Sequence, residues 1–495
     1  MYKTTKQLRL DRVNYRSLCS IFYTFKLAHQ ELYLVGGCVR DLLLGRQPKD
    51  YDLCTSATPD VVKRILSKES FKERYRFIDT GLKHGTVTIH DLKENTFYEI
   101  TTYRFDMDYE DHRHPKEVVY TLKLEEDLKR RDFTINSFAY DPTNQTLVML
   151  DESYLDDLEV GIIRTVGNPI DRFNEDALRM LRALRFASQL GFVIETKTHN
   201  AIKECAPLLK SISKERIRDE LTKILLSDNP RYLEFLVCDG LEPYLFGIND
   251  RYPELGPKDY SKGITPIEDM IHCEHQNPWH YTDVFHHTLD VIERVPKKFE
   301  LRWAAFFHDI GKPSVKMPRP QGPEGHFVYY GHPEVSTQIS LKIMQILKFS
   351  KEQIDLITKF IKYHDSSLDT CKMSMFKKVL NDIGVEHFVD FMQLRVADSS
   401  AHQLTKDTKY AIDAIDKCYE RYLKVISEHQ AMTLKDLKID GYYLISKGLQ
   451  GKQIGDCLGY LLEKVLDKPE LNNEKSLQNM VEKYIINFGG SENDS

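Results

Sequence analysis

The sequence predicts an α+β protein: an amino-terminal head built on a mixed sheet, then an all-helical neck, body and tail. Two observations lead there. Short β-type runs separated by turns (LYLVGG, KHGTVTIH, TFYEITTYRF and KEVVYTLKL) occupy the chain up to about residue 150. From about Asp171 onward, apolar residues recur at spacings of three and four, the period of a helix face. A chain of 495 residues also exceeds what one core can organise. The divisions expected are a head at 15–150, a neck at 151–226, a body and linker at 227–279, a further helical domain at 280–400 and a helical tail at 401–495. The stretch GINDRYPELGPKDYSKGITP (247–266) reads as the linker, and KPSVKMPRPQGPEG (312–325) as a turn-rich insert among the helices.

Composition narrows the class. Hydrophobic residues make up 41% and charged residues 29%, the balance of a globular chain rather than a disordered one. No apolar run approaches the roughly 20 residues of a membrane span. The segment MYKTTKQLRLDRVNYRS has scattered charges and no apolar core, so no secretory signal is expected. Nine cysteines are dispersed and never form CxxC. That pattern reads as reduced thiols of a cytoplasmic protein. The net charge of −6 carries no nucleic-acid signal; an RNA partner would need local basic surfaces.

The head's chemistry starts at LVGGCVRDLLLGRQPKDYDL. An apolar strand runs into Gly36 and Gly37, and a helix follows. Two glycines let a triphosphate approach backbone amides at a helix start, and Arg40 can add a charge-assisted contact. Alone, a GG before a helix is more often a plain turn. Asp50 and Asp52 flank Tyr51, and residues i and i+2 of a strand share a face. Adjacent carboxylates repel unless a cation joins them, and hard oxygen ligands suit Mg²⁺. Such a cluster can activate a hydroxyl and steady a leaving pyrophosphate. Glu99, in the β-type run FYEITTYR, is the candidate third carboxylate. A lone DxD is usually a solvated turn, but Gly-Gly, an arginine and DxD at this spacing make that reading poor.

The stretch GGCVRDLLLGRQPKDYD closely resembles the signature of class II tRNA nucleotidyltransferases and their relatives, the bacterial poly(A) polymerases. The resemblance implies a polymerase-β-like nucleotidyltransferase head that uses Mg²⁺. It continues through DLKRRDFTINSFAY (127–140), where Arg131 would contact the nucleotide's phosphates and the neighbouring Asp132 and Asn136 would serve the same nucleotide. YLDDLEVGIIR (154–164) resembles the hinge to the neck, EDALRMLRALRF (175–186) the nucleotide-selecting helix, and KERIRDELTKIL (214–225) the helix that braces it. Five motifs in order are highly specific.

The neck helix has a physical reading of its own. Asn174 is the expected N-cap, with Glu175 and Asp176 at the positive helix start. Arg179, Arg182 and Arg185 recur every three residues as a polar stripe, while Ala177, Leu181 and Leu184 lie opposite and pack inward. In isolation this is a solvated amphipathic helix with an Asp176–Arg179 ion pair. The functional alternative explains more. Cytosine and adenine each present an amine beside an unprotonated ring nitrogen; Asp176 can accept from the first and Arg179 donate to the second. Uracil and guanine show the reverse and leave both side chains unpaired, which gives large discrimination. Arg182 and Arg185 suit phosphate or inter-helix contacts.

The two branches differ elsewhere. The poly(A) branch carries a basic GRRFRLAHV-like stretch, whereas FIDTGLKHGTVTIH (77–90) resembles the tRNA branch. DMDYEDHRHPKEVVY (106–120) resembles the flexible loop used in switching from C to A. The resemblance therefore implies CTP and ATP as substrates and the tRNA 3′ end as acceptor, for CCA, CC-only or A-only addition, with poly(A) synthesis as the alternative.

A second constellation follows: His287 in FHHTL, His308-Asp309 in FFHDIGK, then His332, His364 and Asp398. Imidazoles and carboxylates spread over helices suit one or two divalent transition-type ions such as Ni²⁺ or Mn²⁺. The HDIGK, GHPEVS, KYHD and RVADSS strings resemble the HD phosphohydrolase superfamily. Relatives with this appendage hydrolyse phosphomonoesters or 2′,3′-cyclic phosphates, or use the helices as scaffold. The tail is expected to hold the tRNA elbow by the same resemblance, and its polar end, SENDS, to be disordered.

Overall fold

Alternating burial makes the strands of the head. In Thr86–Asp91 every second side chain is buried, and Tyr98 and Ile100 are buried between the exposed Phe97 and Glu99. This is the pattern of a sheet with one covered face. The computed structural model describes residues 1–67, 73–78, 81–82, 85–109, 115–246, 266–271, 273–274, 282–319, 327–401 and 406–488. It divides into two compact units, residues 1–247 and 248–495. The expected linker, from 247 to 265, and the SENDS terminus lie outside the described residues, as does part of the insert at 312–325.

In the first unit the elements run β1 (Tyr2–Thr5), α1 (Arg12–Leu27), β2 (Leu32–Val35), α2 (Gly37–Leu43), β3 (Tyr51–Thr55), α3 (Pro59–Leu66), β4 (Tyr75–Ile78), β5 (Thr86–Asp91), β6 (Thr96–Thr102), β7 (Arg104–Tyr109), β8 (Pro115–Tyr120), α4 (Leu124–Lys129), β9 (Phe138–Asp141), β10 (Thr146–Met149), α5 (Ser153–Val160), α6 (Pro169–Glu175), α7 (Leu178–Leu190), α8 (Thr196–Cys205) and α9 (Lys214–Leu225). Eight strands form one mixed sheet in the order β1-β10-β9-β2-β3-β6-β5-β4, with β3 and β6 parallel. Leu18, Ile21, Phe22 and Phe25 of α1 and Val62, Ile65 and Leu66 of α3 are buried against its covered face. On the other face Leu124 and Leu128 of α4 cover Cys54, Ala139 and Val148, and the part around Asp52 and Glu99 stays open and belongs to the site.

Three expectations change. β1 pairs with β10 although all four of its residues are exposed, so the head begins before residue 15. An edge strand without an apolar face leaves no periodic signal. The segment 106–120, expected as a flexible loop, contributes most of the paired strands β7 and β8, with Phe105 opposite Val119 and Asp106 opposite Val118; residues 110–114 lie outside the described part. The neck does not enter its helix at Asn174. α6 ends at Glu175, Asp176 is extended at φ −142°, and α7 starts at Leu178.

The second unit is helical. Its principal helices include Val284–Arg294, Phe299–Phe307, His332–Ile346, Lys351–Tyr363, Phe388–Ser400 and, in the tail, Lys406–Ser427, Lys452–Asp467 and Glu474–Phe488. The tail has a small core of its own around Leu444, Leu461, Val465, Leu477 and Val481. Among the described residues no helix is long and apolar enough to cross a membrane.

Candidate active site

The turn between β2 and α2 fixes the head's centre. Gly36 sits at φ 72°, ψ −137°, a conformation side chains avoid. A Cβ there would lie 3.1 Å from Arg131 Nη1 and 3.9 Å from Asp52 Oδ2. The glycine turn, the arginine and the carboxylate therefore converge on one spot. The parallel register of β3 and β6 sets Asp52 directly beside Glu99, both on the exposed face. Asp50 lies one residue before β3 and is exposed, so it flanks the strand rather than belonging to it. Desolvation first, then repulsion from Glu99, raises the Asp52 pKa; Arg131 opposes and Asp50 adds to the rise. Carboxylates that oppose one another's ionisation are a donor set that a hard cation relieves, and they fit Mg²⁺. Arg131 Nη2 is held by Asp127 Oδ2 at 3.0 Å. Arg40 is buried and committed inward, donating to Asn136 Oδ1 at 2.8 Å and to Asp41 Oδ1 at 2.7 and 2.9 Å. These bonds brace α2 against the Asn136 turn and use three of its five N–H donors.

Asp132 and Asn136 are likewise tied to protein. Asn136 Nδ2 donates to Asp132 Oδ1 at 3.1 Å, while Arg182 Nε and Nη2 donate to Asp132 Oδ2 at 2.8 and 2.5 Å. The neck arginines are no solvated stripe: Arg179 and Arg185 are buried. Arg40, Arg182 and Arg185 all stand over the Phe186 ring, at 5.1, 5.3 and 4.1 Å from its centroid. Arg185 pairs with Glu220 of α9 at 3.0 Å; burial, then repulsion from Arg182, pushes its pKa down to about 10. The expected Asp176–Arg179 ion pair is not formed. Asp176 accepts from Arg216 Nη2 of α9 at 3.0 Å and from the Leu178 amide at 3.1 Å. Arg179 donates to Glu175 Oε2 at 2.6 Å and to the carbonyls of Arg172 and Arg130 at 3.2 and 2.9 Å. Asp176 is extended and lies outside the helix that carries Arg179, so each side chain meets partners of its own.

In the helical unit, His287, His308 and Asp398 form one tight group of ligand atoms, and Asp309, His332 and His364 another. Asp309 joins them. Its Oδ2 lies 3.6 Å from His287 Nε2 and 3.2 Å from His308 Nε2; its Oδ1 lies 3.3 Å from His332 Nε2 and 3.7 Å from His364 Nε2. Asp398 Oδ1 is 3.0 Å from His287 Nε2. Nδ1 of His308, His332 and His364 meets the carbonyls of Ala305, Tyr329 and Ile361 at 2.8, 2.9 and 2.7 Å. Those contacts place the ring proton on Nδ1 and turn an Nε2 lone pair inward. Two such lone pairs, on His332 and His364, then face each other at 3.2 Å beside a buried carboxylate. A metal ion between them relieves that arrangement as a proton would, and the imidazoles and carboxylates gathered here are a donor set that fits a divalent metal. His286 instead pairs with Asp283 at 2.9 Å.

Comparison with known proteins is consistent across the head. Residues 32–164 match the family model of the poly(A) polymerase head domain, and residues 191–255 that of a probable RNA and SrmB-binding site of polymerase A. The chain is similar to the CCA-adding enzyme of Limosilactobacillus reuteri strain DSM 20016, 46% identical over 224 residues, covering 45% of this chain and 53% of the relative. It is also similar to that of Enterococcus faecalis strain V583, 48% identical over 215 residues, covering 43% and 48%. The crystal structure of the Bacillus stearothermophilus CCA-adding enzyme in complex with CTP superposes over 97% of this chain and 99% of its own, with 26% identity and a TM-score of 0.69. The match to the poly(A) polymerase head domain is confined to residues 32–164, and the likeness in fold extends along nearly the whole chain. The Thermotoga maritima CCA-adding enzyme complexed with tRNA shares the fold, at 20% identity and a TM-score of 0.56. In sequence the chain spans about half the length of the curated relatives it matches.

Several residues that hold the candidate site together escaped the sequence reading. Arg216 and Glu175 hold the two base-reading candidates, Asp127 holds Arg131, and Lys312 stands 2.6 Å from Asp309 Oδ2. Lys312 lay in plain view inside HDIGK. Arg216 and Asp127 carry no signal beyond a charge within a recognised motif, because their partners come from another helix or another turn.

Proposed function

We propose that this chain adds CMP and AMP, from CTP and ATP, to the 3′ end of tRNA without a template, restoring or completing CCA. The observation that carries the reading is the convergence of Gly36, Arg131, Asp52 and Glu99 on the open face of the sheet. The relatives named CCA-adding enzymes favour this over poly(A) synthesis. Arg131, clamped by Asp127, holds the triphosphate where the glycine turn lets it approach the backbone. Asp176 retains acceptor capacity beyond its bonds to Arg216 and Leu178, since a carboxylate has about four acceptor sites. Arg179 spends three of its bonds on Glu175, Arg172 and Arg130 and has donors left for a ring nitrogen. Asp50, Asp52 and Glu99 would hold Mg²⁺, which would supply activation of the attacking 3′-hydroxyl and charge neutralisation for the departing pyrophosphate. Substitution tests it: Asp50→Ala and Asp52→Ala each abolish nucleotide addition in a folded protein, and transfer within tenfold of wild type in either removes the assignment. A cytoplasmic setting fits this substrate.

The cluster around Asp309 supports a second activity in the same chain. With Mn²⁺, Ni²⁺ or a similar ion held by His287, His308, Asp309, His332, His364 and Asp398, it would hydrolyse a terminal phosphate or a 2′,3′-cyclic phosphate on damaged RNA ends. Asp309→Ala then loses phosphate release from 2′,3′-cyclic AMP and keeps nucleotide addition. Wild-type protein that hydrolyses nothing across several divalent ions leaves the cluster without this role.

A further inference from the structure

The open face of the sheet carries two adjacent rows of side chains. The first crosses the strands as Asp52, Glu99, Thr88 and Ile78 on β3, β6, β5 and β4. The second lies two residues along, about 6.6 Å away at the rise of a strand, and reads Phe97, His90 and Arg76 on β6, β5 and β4. Cross-strand partners point to the same side, so the second row faces the same space as the carboxylates. The rings of Phe97 and His90 stack with centroids 4.2 Å apart and planes 8° from parallel. His90 Nε2 is fixed by a 2.8 Å hydrogen bond with Asn95 Oδ1. Phe97 is nevertheless 50% exposed and Arg76 is exposed. A large aromatic held rigid and left open to solvent, next to a cation, is poor hairpin packing and good nucleic-acid surface.

Its position says which nucleic acid segment. The triphosphate loop after β2 lies on one side of Asp52, in the strand order β2-β3-β6-β5-β4. Phe97, His90 and Arg76 lie on the other. The acceptor's 3′-hydroxyl has to meet the nucleotide at the carboxylates, so its own base and phosphate come from the β6–β4 side. We propose that Phe97 and His90 form the stacking platform for a base at the single-stranded 3′ end of the acceptor RNA, with Arg76 on its backbone phosphate. This rests on the nucleotidyltransferase reading above.

The test uses the full chain and a stem-loop RNA with a 3′ single strand lacking the final nucleotides. Phe97→Ala raises the KM for that RNA about tenfold, as loss of one stacked base does, while the KM for CTP stays within twofold. Phe97→Tyr restores RNA affinity and Phe97→Leu does not. Arg76→Gln lowers the slope of log affinity against log salt by about 0.7, one phosphate contact on a single strand. If Leu rescues as well as Tyr, the pair is hairpin packing and the proposal fails. A binding readout separates this from the parent reading. In Phe97→Trp, indole emission above the background of the two native tryptophans is quenched by the RNA's 3′ strand. Quenching in a protein that adds no nucleotide sustains the platform and removes the transferase reading. An active Phe97→Trp enzyme whose added indole emission ignores the RNA overturns the platform alone.

Discussion

The Asp132 carboxylate accepts four hydrogen bonds, from Arg182 Nε and Nη2, Asn136 Nδ2 and the Phe133 amide, and so ties the head's second motif to α7. Burial works to raise its pKa, but Arg182 and Asn136 outweigh it and hold the carboxyl below the usual range. A carboxyl depressed on folding stabilises the protein fully above its unfolded pKa and loses that contribution as pH falls through the folded value. Asp132→Ala should therefore cost about 1.5–3 kcal/mol at pH 7. In urea melts the gap between wild type and Asp132→Asn should hold constant at neutral pH and shrink below about pH 4; a gap that widens there contradicts the assignment. Asp176 and Arg179 make a second residue-scale test. Removing either side chain deletes one charged hydrogen bond to the base, so UTP or GTP incorporation rises relative to CTP and ATP by about 1.5–3 kcal/mol in selectivity. Uniform loss with unchanged preference means the pair is structural, bound only to Arg216 and Glu175. Base chemistry singles out these two candidates in the sequence but not their holders, since a charge on α9 gives no sign of which neck residue it meets.

The β2–α2 turn is the element on which the head's geometry depends, and its glycine is required. At φ 72° any side chain is strained by about 1–2 kcal/mol, and at Gly36 it also presses on Arg131. Gly36→Ala should leave the protein folded and raise the KM for both CTP and ATP at least tenfold; unaltered nucleotide binding would separate this turn from the triphosphate. Elements with strong period were readable: β2, β5 and β6 from their apolar runs, α7 and α9 from theirs. β1 was hidden because its residues are all exposed; KEVVYTLKL was read as a β-type run, but the polar DMDY gave no face to show that β7 pairs with it. The break between α6 and α7 was missed for another reason. Asn174, Glu175 and Asp176 suit a helix start as well as they suit a helix end followed by an extended residue, and only the packing of Arg216 against Asp176 decides. The helices around Asp309 have their own prediction. Ligands whose lone pairs face each other bind a cation in the folded state only, so metal raises the melting temperature. Protein stripped with a chelator should melt lower than protein reloaded with Mn²⁺ or Ni²⁺; equal melting points, with no metal by elemental analysis, contradict a metal centre.

Across the whole chain, the two candidate sites lie in two compact units. The carboxylates of the head belong to residues 1–247 and the histidine cluster to residues 248–495, so Asp52→Ala and Asp309→Ala should each silence one activity and spare the other. The order of five motifs made the architecture legible at this scale, and the spaced histidines and aspartates pointed to a second cluster, because imidazole and carboxylate side chains stand out by residue type even when spread over helices. What the chain adds, and to what, is decided by chemistry at the acceptor end. The most direct measurement supplies the purified protein with tRNAs ending before CCA, after the first C and after CC, offers each NTP singly and then all four, and sequences the products. The account predicts that CTP alone adds two residues to the first RNA and one to the second, that ATP alone extends only the third by one, and that mixed nucleotides yield CCA and stop. Long adenylate tails, or no extension of any of the three, would contradict it.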